Sequence, residues 1–245
     1  MRKIAGVLGV VCVFGIIIFS VRGNKDEDAK MRELVARAIK AHGGDNLAKC
    51  KGYITKTKGK LLDLEYTTET SLQAPDRSRT VAESKLGKLV QVLNGDKGWV
   101  KFGDLSRECV KEELDEMREQ LNANLISHLV VLLDREYKLS PLGEEKIDDR
   151  PAIGLHVEHR GFRDLNLYFD KENYLLLKVE TRIKDPLRGG EEVAAETLYS
   201  DYRDVDGIMT ARKVTIKYDG KTYIESEITE AKYAEKLDDK VFEKP

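Results

Sequence analysis

The stretch from Thr197 to Tyr233 constrains this chain more than any other. It carries two turn signals of one kind, Asp206-Gly207 and Asp219-Gly220. Asp-Gly between alternating apolar runs marks a two-residue hairpin, because both central residues of a type I′ turn need positive φ. Between the turns, Val214, Ile216 and Tyr218 alternate with Thr215 and Lys217. Past the second turn, Ile224 and Ile228 alternate with Glu225, Glu227 and Thr229. A period of two with one apolar face describes an antiparallel meander, one face in water and the other on a core or cavity.

The same patterning extends upstream. Strands are expected over 52–61, 62–73, 77–85, 88–93 and 98–102, then over 137–141, 144–147, 152–160, 165–169, 174–181 and 194–202. Ala74-Pro75-Asp76, Asn94 to Gly98, Asp148 to Pro151 and Asp170 to Asn173 are the connections. Asp185 to Glu192, DPLRGGEE, reads as a mobile loop, and the tail after Glu235 as polar with Phe242 as its anchor. Two segments switch to helical period. Lys25 to His42 places Met31, Leu34, Val35, Ala38 and Ile39 on one face, with Asp26, Glu27 and Asp28 at the positive N-terminal end and Gly43-Gly44 as its stop. Glu108 to Leu133 repeats Leu114, Met117, Leu121, Leu125, Ile126, Leu129, Val130 and Leu133 at three and four, and is apolar nearly all round from Leu125. Such a helix is buried, which makes it the candidate to lie against the concave face of the sheet.

Composition narrows the function classes. The chain has 245 residues and a net charge of −2, with 41% hydrophobic and 35% charged residues. No basic stripe stands out, which argues against nucleic acid as a partner. Arg2 and Lys3 precede an uncharged apolar run of 18 residues, Ile4 to Val21, and Arg22 to Asp28 is abruptly polar. This length lies between a signal-peptide core of about 7–15 residues and a spanning helix of about 20. Residues 1–23 are therefore a signal peptide, with cleavage after Gly23, or a retained membrane anchor contacting the membrane through residues 4–21. Either way, residues 24–245 form a single domain outside the cytoplasmic membrane. Cys12 lacks a lipidation context. Cys50 and Cys109 pair in an oxidising compartment or remain separate buried thiols.

The search for chemistry gives little. His156 and His159 point to opposite faces of a strand and cannot close on one metal. His128 in the apolar helix reads as a core histidine ahead of a cavity-lining one, and His42 ends a helix, where a cation is favoured. Asp201, Asp204 and Asp206 could hold a hard cation, but lack the Gly and distal Glu of a calcium loop and read as a solvated turn. No phosphate loop, nucleophile elbow or zinc motif occurs. The expectation is a non-catalytic protein without metal or cofactor.

Three stretches together resemble a known family. The first is the N-terminal helix ending in Gly43-Gly44 before a long antiparallel sheet. The second is Leu167-Tyr168-Phe169-Asp170 followed by Tyr174 to Glu180. The third is Tyr199-x-Asp201-Tyr202-Arg203-Asp204-Val205-Asp206-Gly207-Ile208. The pattern is similar to the outer-membrane lipoprotein-sorting and carrier superfamily, the LolA, LolB and RseB-like proteins. That resemblance implies an α+β fold: a large curved antiparallel β-sheet, an incomplete barrel, with helices packed on its concave face. In the carriers that concavity holds acyl chains, and in the RseB-like sensors the fold contacts a membrane-bound partner.

The resulting expectation is a periplasmic binding protein for a lipid, a lipoprotein acyl chain or another apolar ligand. Candidate ligand-binding residues are Trp99, Phe102, Leu125, Leu129, Val214, Ile216 and Ile224. The alternative is a membrane-anchored envelope sensor or scaffold, with a membrane-protein partner and a cavity filled by its own helix.

Overall fold

The computed structural model describes residues 21–185 and 189–245, with the backbone alone for residues 21–26. The leader run from Ile4 to Ser20 lies outside the described residues, and none of the described helices is long and apolar enough to cross a membrane.

Among the described residues, thirteen antiparallel strands form one sheet. The N-terminal meander is β1 (Gly52–Leu61), β2 (Leu64–Gln73), β3 (Arg77–Ser84), β4 (Gly87–Asn94), β5 (Lys97–Phe102) and β6 (Leu105–Glu108). The C-terminal meander is β7 (Tyr137–Ile147), β8 (Arg150–His159), β9 (Leu165–Asp170), β10 (Leu176–Asp185), β11 (Glu191–Val205), β12 (Ile208–Tyr218) and β13 (Lys221–Ala234). The two meanders fuse where β1 pairs with β13, giving the order β6-β5-β4-β3-β2-β1-β13-β12-β11-β10-β9-β8-β7. The sheet does not close: β6 and β7 are its two edges.

Both Asp-Gly turns form as their chemistry requires. Val205 pairs with Ile208 across Asp206 (φ 53°) and Gly207 (φ 80°), and Tyr218 pairs with Lys221 across Asp219 (φ 49°) and Gly220 (φ 76°). Of DPLRGGEE, expected as a mobile loop, Pro186 to Arg188 lie outside the described residues; β10 runs to Asp185, β11 resumes at Glu191, and those two residues pair. Tyr137 to Ile147 is one strand rather than two, with a register shift between Pro141 and Gly143. The edge strand β6 was not expected from the sequence; its four residues are all exposed, so no apolar alternation betrays it.

The helix expected over 108–133 is shorter. Helix α3 spans Lys111–Ser127, His128 caps it, and Leu129 takes φ 70°, a left-handed conformation that ends the i→i−4 ladder. Val130–Leu133 is then a 3-10 turn. Leu129 and Leu132 are fully buried in the main core, so the all-round apolarity after Leu125 reflects a turn wrapped by other elements. Helix α1 (Val21–His42) covers that turn through Leu34, Val35, Ala38 and Ile39. The Arg32 guanidinium donates to the carbonyls of Leu132, Asp134 and Tyr137 at 3.1, 3.3 and 2.9 Å, fixing the path from the turn into β7. The described helix starts at Val21, so Glu27 and Asp28 stand beyond its first turn, and Asp28 pairs with Arg32 instead.

Gly43-Gly44 does more than stop α1. Gly43 has φ 141°, and a Cβ there would lie 2.7 Å from the Gly207 carbonyl oxygen and 3.2 Å from Ile208 Cα. The short helix α2 (Asp45–Lys49) follows, and a Cβ on Gly207 would overlap the side chain of its Asn46. The α1–α2 elbow is thus pressed backbone-to-backbone onto the β11–β12 turn. Gly44 (φ 54°) has open space around its Cβ position. Both positions carry positive-φ strain, and only Gly43 adds a clash, so Gly43→Ala is expected to cost about 3 kcal/mol or more, against about 1–2 kcal/mol for Gly44→Ala, whose φ 54° and ψ −122° lie outside the left-handed helical well. Urea denaturation of the two variants checks the ranking, and equal losses would refute the close approach.

Candidate functional site

Helix α3 is the covalent link between the two sheet edges, and it crosses the concave face. One of its stripes, Met117, Leu121 and Leu125, packs against Leu72 and Leu93 of β2 and β4. Another, Glu116, Gln120, Ala123, Asn124 and Ser127, looks toward β10–β13 and carries short or polar side chains. Ser127 reaches the Tyr199 hydroxyl of β11, while the rest of this stripe stands off the strands. Between them lies a cavity of about 890 Å³.

The strand wall is built from Thr181, Ala195, Thr197, Val214, Ile216 and Ile228, whose alternation points them inward. The deep end is closed by the buried residues His42, Leu47, Leu176 and Ile208 together with Tyr202. The opposite side opens to solvent between the exposed flank of α3, at Glu112, Glu116, Gln120 and Asn124, and Lys184 and Gly190 of the β10–β11 hairpin. Charges are confined to this opening: Arg163 makes a bidentate contact with Glu116, at 3.0 and 2.5 Å.

Histidine and tyrosine side chains set the electrostatics of the interior. His42 is neutral, not the helix-end cation expected. Its Nδ1–H donates to the Ala38 carbonyl at 2.8 Å, and its Nε2 accepts from the Leu176 N–H at 3.3 Å, which fixes the tautomer. Burial lowers its pKa. His128 is enclosed by protein, and the face that solvent can reach is on the cavity. It stacks on Tyr53 at 3.7 Å, and burial, aided by the neighbouring His42, pushes its pKa down to about 3. Burial also raises Tyr53, Tyr199, Tyr202 and Tyr233, so all four stay neutral at physiological pH. Tyr202 donates to the Leu176 carbonyl at 2.6 Å, and the Tyr233 and Thr210 hydroxyls are 2.8 Å apart.

Of the residues expected to bind ligand, Val214 and Ile216 line the cavity. Trp99 does not: it packs with Val92, Leu237 and Phe242 on the opposite face, because it stands across from Val92 in the β4–β5 pair. Phe102 is at the end of β5, 52% exposed. Leu125 faces Leu72 and Leu93, and Leu129 is buried beneath α1. Ile224 is the cross-strand partner of Ile216 but lies outside the lining.

Tyr53, Tyr199, Tyr202 and Tyr233 escaped the sequence reading. Tyr199 and Tyr202 are three apart, which on a regular strand sends them to opposite faces. The β11–β12 register passes from Ser200–Lys213 to Tyr202–Ala211, and Asp201 takes φ 53°, which brings both tyrosines to the cavity. The carboxylates considered for a cation have local partners: Asp201 with Arg203 at 2.9 Å, and Asp204 with the Gly207 N–H at 3.0 Å. No cluster of metal-ligating side chains occurs among the described residues. His156 meets Asn166, while His159 stacks between Tyr137 and Phe162. Cys50 and Cys109 are separate free thiols in different clusters.

An open half-barrel, a crossover helix and a mostly apolar cavity between them make up the architecture of the site. Comparison with solved structures agrees. A DUF1329 family protein from Desulfovibrio piger superposes with a TM-score of 0.56 at 15% identity, covering 87% of this chain and 97% of that one. A LolA superfamily protein from Nitrosomonas europaea gives the same values, 0.56, 15%, 87% and 97%. An outer membrane lipoprotein-sorting protein domain from Vibrio parahaemolyticus gives 0.54 at 13% identity, covering 88% and 97%. No protein-family model matches the sequence, and no curated protein does. The chain has the LolA/LolB/RseB-like fold.

The histidines give a pH dependence of known sign. Their folded-state pKa values lie below the unfolded value near 6.5, so as pH falls the unfolded chain takes up protons that the folded chain refuses. Stability is therefore lost as pH drops through about 6.5 toward 3, at up to about 1.4 kcal/mol per unit for each group. Between pH 7 and pH 5, above the carboxylate range, His128 alone is expected to account for about 2 kcal/mol. Urea midpoints at the two pH values should show that loss in the natural chain and a smaller one in His128→Phe.

Proposed function

We propose that this chain is a non-catalytic, extracytoplasmic binding protein that takes an acyl chain or similar apolar ligand into the cavity between α3 and β10–β13. The cavity itself carries the reading. Its volume falls in the range of about 300–1,000 Å³ typical of small-molecule sites. Its lining follows α3 from Glu112 to His128, about 24 Å at 1.5 Å per residue, a length suited to a long hydrocarbon chain. Roughly ten buried methylenes contribute about 8 kcal/mol before association costs, so burial alone suffices and no cofactor is required. The likeness to a lipoprotein-sorting domain supports the same role, and the apolar leader at residues 4–21 supports export. A membrane-anchored sensor with a self-filled cavity fits less well, because the stripe of α3 that faces the strands leaves the space open.

Fluorescence of 1-N-phenylnaphthylamine, an uncharged apolar probe, is expected to rise saturably with the purified chain. Ile216→Trp or Val214→Trp, which project an indole into the cavity, should weaken that binding at least tenfold while the thermal midpoint moves by only a few degrees. Absence of probe binding, with no lipid recovered from protein purified out of native membranes, would sink the proposal.

A further inference from the structure

The deep end of the cavity is polar without being charged. Tyr53 and His128 stack against each other there, with Tyr233 centred 6.3 Å from both rings. Most polar atoms in this region are satisfied by the fold. Tyr202 is committed to a backbone carbonyl, Tyr233 to Thr210, and both nitrogens of His42 to the main chain. Tyr199 is hydrogen-bonded to Ser127. Tyr53 and His128 differ. Among the described residues, neither the Tyr53 hydroxyl nor the His128 ring nitrogens have a hydrogen-bond partner, and both side chains line the cavity. Neither belongs to the buried atoms cut off from solvent-sized space, so their polar atoms face the cavity.

Polar atoms that open on a cavity are hydrated while it is empty, and a molecule that displaces that water binds well only if it replaces the lost hydrogen bonds. Together they offer a phenol that donates and accepts, and a neutral imidazole that donates through one nitrogen and accepts through the other. The lining's full charges, Glu112, Glu113, Glu116, Glu119, Arg163 and Lys184, belong to the opening. An ionised carboxylate at the deep end would be desolvated without a cation to meet it. A hydroxyl or a carbonyl oxygen faces no such penalty.

We propose that the cavity selects amphiphiles with an uncharged oxygen head, an alcohol or an acyl ester, and binds them head inward, with that oxygen on His128 and Tyr53 and the hydrocarbon along Val214 and Ile216 toward the opening. This rests on the binding role proposed above and adds the ligand's chemical class and direction. A site built to hydrogen-bond an oxygen discriminates against the analogue that lacks it, because its own polar atoms are then left unpaired.

The test is displacement of 1-N-phenylnaphthylamine from the full-length chain at pH 8 by dodecanol, methyl dodecanoate, dodecane and dodecanoate. Dodecanol and the ester are expected to compete at concentrations about tenfold lower than dodecane or dodecanoate. Tyr53→Phe, which removes one oxygen, should shrink the preference for dodecanol over dodecane several-fold. His128→Phe should abolish most of it, and both variants should leave dodecane affinity within about twofold. Equal competition by dodecanol and dodecane, or a preference that survives both substitutions, overturns the head-inward site while leaving the apolar binding role intact. Tightest binding by dodecanoate overturns the uncharged class. Failure of every competitor together with absence of probe binding removes the binding role itself, and this inference with it.

Discussion

The structure depends on one connection: α3 must carry the chain from the last strand of the first meander to the first strand of the second. The β1–β13 pairing puts those strands, β6 and β7, at opposite edges of a single sheet. A helix of 17 residues reaches about 25 Å and spans such a distance only by crossing the concave side. Met117, Leu121, Leu125 and Ile126 are buried there, each worth about 1.5–3 kcal/mol of transfer free energy. The tether sets where the helix lies, and burial holds it down. The cavity follows from the composition of one stripe: where α3 presents Ala123 and Ser127 instead of leucines, helix and sheet meet only lightly, through Ser127 and Tyr199, and space remains between them.

Features written into local chemistry were legible from the sequence. The two Asp-Gly turns, the alternation of β12 and β13 and the amphipathic face of α1 depend on neighbours along the chain, and all are present. Features decided by distant contacts were not. Periodicity carried α3 on to Leu133, because it cannot see Leu129 turning under α1 into a left-handed conformation. His42 stands where a helix end favours a cation, yet the Leu176 N–H needs an acceptor and desolvation favours the neutral ring. The candidate site was half visible. Val214 and Ile216 announce themselves by alternation, whereas Trp99, across from Val92, belongs to the other face. Tyr199 and Tyr202 share a wall only because Asp201 breaks the alternation between them.

Polarity is distributed in the cavity in an order that matters for any apolar guest. Carboxylates and basic groups line the entrance, branched aliphatics and threonines form the middle wall, and neutral rings close the far end. A low-dielectric interior magnifies every charge placed in it, so keeping ions at the entrance lets the interior hold polar groups without competing counter-ions. The same enclosure that depresses His128 also keeps the tyrosines protonated, and the wall stays electrically neutral across the physiological range.

An unclosed sheet exposes two rows of unpaired backbone groups, an invitation to fibril-like stacking with neighbouring molecules. The edges of this one are poor templates for it. β6 offers only four residues, and the Arg107 guanidinium among them is clasped by Glu113 of α3 at 2.6 Å. β7 is longer, but its ladder is interrupted at Pro141 and Gly143, and it continues through Glu144, Glu145 and Lys146. A half-barrel can therefore keep a mouth wide enough for a guest and still resist the aggregation that an open β-sheet invites.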